Sequence, residues 1–271
     1  MRREVLSLAL LLTFGVAACS SSGEVRSDSG PDAESTATSA LFDPDGSGGG
    51  DSTTTTEAPN VSPSTSPMVA VVGNVTVPDG EAGELSVVLN GTAVDDSGSI
   101  PVVVRNRTSG TVYNVETTAT ARGADGSLAG SGSSQGFVPT TVAPGEWAFG
   151  YIYFDGTVPA GAEFDITATA ETESGFIGSV DVKPVETNMV PSEFSGQQII
   201  GIVENGTDQE VSGPIGVQVL CFDQAGSAVV ETHSGYTDAD SVAAGGTASF
   251  SVDLFEDPCP NFAVGASGYD F

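Results

Sequence analysis

From Met68 to the C-terminus the dominant pattern is a period-two alternation of apolar and polar residues in short runs. Side chains point alternately to the two faces of a strand, so such runs are half-buried strands. Val69, Val71, Gly73, Val75 and Val77 share one face. Tyr113, Val115, Thr117, Ala119 and Ala121 share another, with Asn114, Glu116, Thr118 and Thr120 opposite. Trp147, Phe149, Tyr151 and Tyr153 alternate in the same way, as do Phe164, Ile166, Ala168 and Ala170. The last sets are Ile215, Val217, Val219 and Cys221, then Ala248, Phe250, Val252 and Leu254. Turn signals lie between the runs, at Asp79-Gly80, Asn90-Gly91, Asp125-Gly126 and Asn205-Gly206. No run carries a convincing helical period. Many short strands with regular turns predict an all-β fold of antiparallel β-sandwiches.

The pattern repeats at an offset of 99 residues, which predicts two tandem sandwiches rather than one large sheet. Val103-Val104-Arg105-Asn106-Arg107-Thr108 aligns with Ile202-Val203-Glu204-Asn205-Gly206-Thr207. An alternating strand follows each, then a turn with Gly126-Ser127 or Gly226-Ser227, then Pro144-Gly145 or Ala244-Gly245 before a strand carrying Phe149 or Phe250. The expected boundaries are 68–184 for the first repeat and 185–271 for the second, joined near 183–195, with a second repeat that folds alone from about Val190.

In the second repeat, Val203-x-Asn205, the strand end Val219-Leu220-Cys221-Phe222-Asp223, and Ala244-Gly245-Gly246 before Phe250 stand together. On these residues it resembles the FxLYD-type domains, Ig-like modules of extracytoplasmic bacterial proteins. The resemblance implies surface display with a binding or spacing role, and it transfers no catalytic residue.

The N-terminus has a different logic. Met1-Arg2-Arg3 is a short basic segment, and Val5–Ala18 is an apolar run too short to span a bilayer comfortably but suited to a signal peptide over 1–18. Val16-Ala17-Ala18-Cys19 resembles the lipobox of bacterial lipoproteins. That resemblance implies cleavage before Cys19 and a diacylglycerol on its sulfur. Each buried methylene of an acyl chain contributes about 0.8 kcal/mol, so two or more chains hold a protein on a membrane. Residues 19–67 are rich in Ser, Thr, Gly, Asp and Pro, and they read as a disordered tether that carries the folded part away from the bilayer. Within it, Asp43, Asp45, Ser47 and Asp51 with Gly48 resemble part of a calcium loop, but Thr54 stands where a bidentate Glu is required and no helix flanks the segment.

The formal net charge is −29, with 7 basic and 36 acidic residues. A nucleic-acid binder needs a basic face, so that class is excluded. With Cys19 assigned to lipidation, Cys221 and Cys259 remain as an even pair in an exported chain. A disulfide is expected, with Cys221 facing inward in step with Val217 and Val219; two free buried thiols are the alternative.

Chemistry is sparse. Gly132-Ser133-Ser134-Gln135-Gly136 fits the Gly-x-Ser-x-Gly pattern, which signals a nucleophile only on a strand-to-helix elbow. Here it reads as a hairpin loop. His233 is the only histidine, in a loop-like stretch near Glu231, Asp238 and Asp240. No catalytic residue, metal or cofactor is assigned. Trp147, Phe149, Tyr151 and Tyr153 read as core, with a sugar-stacking platform as the alternative. Asn60, Asn74, Asn90, Asn106 and Asn205 form sequons but read mainly as turn asparagines. The expected function is a non-enzymatic, lipid-anchored module of the cell envelope, outside the cytoplasm. Its partner is the membrane through the anchor, together with an envelope protein or glycan. A calcium- or glycan-binding module and an enzyme with a loop-end site are the alternatives.

Overall fold

The computed structural model describes residues 66–92, 94, 98–174, 178–255 and 257–270. The signal peptide, Cys19, the tether up to residue 65, the calcium-like loop and Asn60 lie outside them. The described residues form fifteen strands and no helix. The first seven are β1 (Val69–Val72), β2 (Leu85–Asn90), β3 (Ser99–Asn106), β4 (Val112–Arg122), β5 (Leu128–Val138), β6 (Thr141–Val142) and β7 (Trp147–Asp155). Next come β8 (Glu163–Glu171), β9 (Ser179–Ser192), β10 (Gly196–Glu204) and β11 (Val211–Phe222). The chain ends with β12 (Val229–Tyr236), β13 (Ser241–Val242), β14 (Thr247–Asp253) and β15 (Asn261–Tyr269). All pairings are antiparallel, and they form two Ig-like sandwiches in tandem, each closed around its own core.

In the first sandwich the strands run β2-β3-β7-β5-β4-β6, with β8 on β4. β5 joins the two layers, because Ser131–Ser133 pairs with β4 on one edge and β7 on the other. Ile100, Val102 and Val104 of β3 and their β7 neighbours Ala148, Ile152 and Phe154 pack with Ala119 and Ala121 of β4 in one apolar core. The Phe154 and Phe164 rings sit 5.4 Å apart.

In the second sandwich the order is β12-β11-β15-β9-β10-β14, with β13 on β11. Val217, Val219, Phe250, Val252 and Val264 fill its core, as their alternation predicts. Cys221 and Cys259 are bonded there, with Cα atoms 4.9 Å apart and both side chains buried. The cross-link thus ties β11 to the entry of β15 from within the apolar layer.

The hydrogen-bonded sheets do not follow the expected boundaries at 68 and 184. β1 pairs with β15 of the second sandwich, Val69 opposite Gly265 and Val72 opposite Phe262. β9 crosses position 184 without a break. Its first part, Ser179–Val182, pairs with Ala266–Tyr269 of β15, and the rest moves over to β10. That crossover leaves the edge of β15 open from Phe262 to Gly265, and β1 satisfies it. The chain is then stitched to the next turn. Asn74 N donates to Asn261 Oδ1 at 2.9 Å, and Thr76 N donates to the Gly226 carbonyl at 2.8 Å. Gly226 has φ of +70°, and a Cβ there would overlap the Asn74 carbonyl, so the docking requires glycine.

A third apolar cluster lies between the sandwiches. Trp147, Phe149, Val103 and Val138 of the first pack with Leu220, Phe222, Val229 and Ala263 of the second, and with Val69 and Val75. Trp147 and Phe149 therefore belong not to the first sandwich's own core but to this seam. β7 is covered on both faces, with Ala148, Ile152 and Phe154 serving the inner one. The described residues accordingly form one compact unit. A fragment from Val190 would lack β1, most of β9 and the first sandwich's half of the seam, so autonomous folding of the second repeat is not expected from this packing.

Candidate functional site

The seam changes character along its length. On β7 the face toward the second sandwich carries Trp147 and Phe149, which are sealed, then Tyr151, partly buried, then Tyr153, 48% exposed. The opposing face of β11 carries Phe222 and Leu220, both sealed, then Gln218 and Gly216. On β15 the sequence is Ala263, Gly265, then Ser267 and Tyr269. At Gly265 the sandwiches touch closely, since a Cβ there would lie 2.6 Å from Val138 Cγ2. Beyond that point three strand faces exchange aliphatic side chains for tyrosine, amide and hydroxyl groups, and the sandwiches part.

The opening is a cleft of about 760 Å³, which shares Tyr151, Gln218 and Ser234 with a side recess of about 280 Å³. Tyr151, Tyr153, Tyr236 and Tyr269 line the two spaces, four of the chain's five tyrosines. Glu116 and Glu171 stand on the first sandwich's side, where Glu171 Oε2 accepts a hydrogen bond from Asn114 Nδ2 at 2.9 Å. Asn114 has φ of +47°, and the β4–β8 register shifts between Tyr113 and Glu116. This bulge turns the β4 end toward the cleft. None of the described Lys or Arg residues lines either space. Gln218 Oε1 is buried and has no hydrogen-bond donor among the described residues.

At the wall, Asp181 of β9 fastens the two sandwiches. Its carboxylate accepts from Thr140 N at 2.7 Å, Thr140 Oγ1 at 3.1 Å and Thr141 N at 3.1 Å. Burial pushes its pKa up to about 6, against the lowering effect of those bonds and with a small further rise from Glu146.

The residues singled out from the sequence fall differently. Ser134 lies in strand β5, not in a hairpin loop, and its Oγ accepts from Thr117 N at 3.0 Å. His233 lies in strand β12 opposite Val219, not in a loop, and lines the side recess. The aromatic set divides, with Trp147 and Phe149 in the seam and Tyr151 and Tyr153 in the cleft. Asn106 and Asn205 are fully buried, Asn90 ends β2, and Asn74 is exposed beside Asn261. Among the described residues no group of three or more His, Cys, Asp or Glu side chains is placed to hold a metal ion, and no helix is long and apolar enough to cross a membrane. Gln218, Tyr236, Ser267 and Tyr269 were not singled out in the sequence. Their signal was the parity of Gln218 and Ser267, which share strand faces with Leu220, Phe222 and Ala263. No protein-family model matches this chain, and no curated protein matches it.

Proposed function

We propose that this chain is a lipid-anchored, extracytoplasmic binding module without enzymatic activity, held at the cell envelope through Cys19 and presenting the inter-sandwich cleft to its ligand. The cleft carries the reading. A pure spacer gains nothing from opening an otherwise apolar seam onto tyrosines and a buried amide, whereas a binding site needs a concave surface with a few convergent polar groups. The Val16-Ala17-Ala18-Cys19 motif after an apolar run supports the anchor. The Cys221–Cys259 bond suits an oxidising compartment. The FxLYD-like features of the second repeat agree with display outside the cytoplasm. Against enzymatic activity, Ser134 sits on a strand rather than on an elbow leading into a helix.

The test is photo-cross-linking on intact cells, with the reactive group in place of Tyr236 in the cleft or of Phe194, which is 98% exposed elsewhere. The expected result is an envelope adduct from position 236 and not from 194, lost when Cys19→Ala releases the protein from membranes. Membrane retention of the Cys19→Ala protein, or equal adducts from both positions, would overturn the reading.

A further inference from the structure

We propose that the inter-sandwich cleft binds an uncharged polysaccharide segment, its sugar rings lying on Tyr153 and Tyr236 and its hydroxyls bonding to Gln218 and the cleft's serines. This assignment rests on the binding-module reading and gives it a ligand class.

Four observations carry it. First, the tyrosines are placed as amphipathic surfaces rather than as core: Tyr236 is 66% exposed and Tyr153 48%. A tyrosine offers a flat apolar face and a polar rim, which matches the C–H face and equatorial hydroxyls of a sugar ring. Second, Gln218 Oε1 is a buried acceptor without a donor among the described residues, between the main cleft and its side recess. A buried acceptor left unpaired costs about 1–3 kcal/mol, and a ligand hydroxyl would satisfy it. An acyl chain would leave it unpaired. Third, the charge selects against anions. Glu116 and Glu171 line the cleft, none of the described Lys or Arg residues does, and the chain's net charge is −29. Those carboxylates can accept hydrogen bonds from hydroxyls.

Fourth, the floor of the cleft presents side chains. A peptide that adds to a sheet needs an open ladder edge. On the floor, Gly216 of β11 lies between Tyr236 and Ser267, and the Tyr151 region of β7 lies between β3 and β5, so neither strand offers one. The open edge beside the cleft is that of β12, which pairs with β11 alone, and the extended-peptide probe below tests it.

The experiment is calorimetric titration of the full chain with three neutral linear hexasaccharides: β-1,4-glucan, β-1,4-linked N-acetylglucosamine and α-1,4-glucan. Oligogalacturonate, a decyl-chain alcohol and an extended Val/Thr peptide serve as comparison probes. At least one neutral sugar should bind with a Kd of about 1 mM or tighter, unaffected by about 0.5 M salt, which screens charge attraction. Tyr153→Ala and Tyr236→Ala should each weaken it by about tenfold, with melting temperatures unchanged because both rings are exposed. Phe194→Ala should bind as the parent does. Absence of binding by all three sugars, or binding untouched by both tyrosine changes, would overturn the assignment. If the peptide or the alcohol binds instead and the tyrosine changes abolish it, the sugar assignment fails and the binding-module reading stands. Equal cell-surface adducts from positions 236 and 194 would remove both.

Discussion

Asn106 and Asn205 make four equivalent bonds in the two sandwiches, and Asn205 Nδ2 adds a fifth to the Ala243 carbonyl. Asn106 Nδ2 donates to the carbonyls of Gly110 and Val142, and its Oδ1 accepts from Thr108 N and Thr108 Oγ1. Asn205 Nδ2 donates to the carbonyls of Gln209 and Val242, and its Oδ1 accepts from Thr207 N and Thr207 Oγ1. The Asn-x-Thr spacing is thus a structural device. The asparagine fixes the turn after β3 or β10 and ties it to β6 or β13, while the threonine closes the turn from the other side. Both asparagines are fully buried, so neither nitrogen is open to a glycan.

Replacing either asparagine with alanine removes the side-chain donor to the Val142 or Val242 carbonyl and the acceptor for the Thr108 or Thr207 N–H, and leaves the Gly110 or Gln209 carbonyl with the threonine hydroxyl alone. The expected loss is about 2–4 kcal/mol for each, read as a lower urea midpoint with an unchanged slope. Thr108→Ala and Thr207→Ala, whose partners keep other bonds, should cost less than the asparagine changes. A loss below about 0.5 kcal/mol for both asparagine variants would contradict the argument.

The disulfide closes a loop spanning 38 residues, for which the chain-entropy relation gives about 4 kcal/mol. Cys221→Ala with Cys259→Ala should therefore lower stability by about 2–5 kcal/mol. Because Leu220 and Phe222 flank Cys221 in the seam, the first sandwich should unfold together with the second. A single transition shifted downward for the whole unit is the expected melting profile. Two separated transitions, with only one moved, would show that the seam does not couple them.

Much of the fold was legible in the alternation. Ile215, Val217, Val219 and Cys221 point inward as their parity requires, and the Gly126-Ser127 and Gly226-Ser227 turns fall where the repeat places them. Alternation says which residues share a face, but not what covers the other face. Trp147–Phe154 is apolar at nearly every position because β7 is buried on both sides, so no parity rule could assign Trp147 to the seam. The partner of β1 was hidden for a related reason: Val69–Val72 suits any open edge, and only the crossover of β9 creates one on β15. The cleft was the least legible. Its tyrosines lie on β7, β12 and β15, far apart in sequence, and they meet only because the two sandwiches pack.

Gly265 tests whether the seam is as tight as it looks. Its added Cβ would fall 2.6 Å from Val138 Cγ2 and 3.5 Å from Phe149 Cε1, atoms held in a packed layer. Gly265→Ala should cost about 1–3 kcal/mol through overpacking, although alanine is otherwise the better strand residue. Gly265→Ala combined with Val138→Ala should recover part of that loss, because the second change removes the methyl carbons nearest the new one. An additive double variant would place the strain elsewhere.

Asp181 gives a pH dependence with a definite sign. Its folded pKa is about 6, above the usual value of 3.8, and burial between the sandwiches is the main cause. The folded state therefore holds the proton more tightly than the unfolded chain between those two values. Asp181 contributes most to stability below about pH 4, and that contribution fades as pH rises through 6. A shift of this size corresponds to at most about 3 kcal/mol. Asp181→Asn removes the titration; its single oxygen still accepts from Thr140, and the lost bond from Thr141 N is an offset that does not vary with pH. The measurement is the urea stability of the parent minus that of Asp181→Asn from pH 4 to 8. The difference should decline steadily across pH 4–6.5 and level off above it. A difference that is flat with pH would mean that the three bonds from Thr140 and Thr141 balance the cost of burying the charge, and one that grows toward pH 7 would mean that they outweigh it.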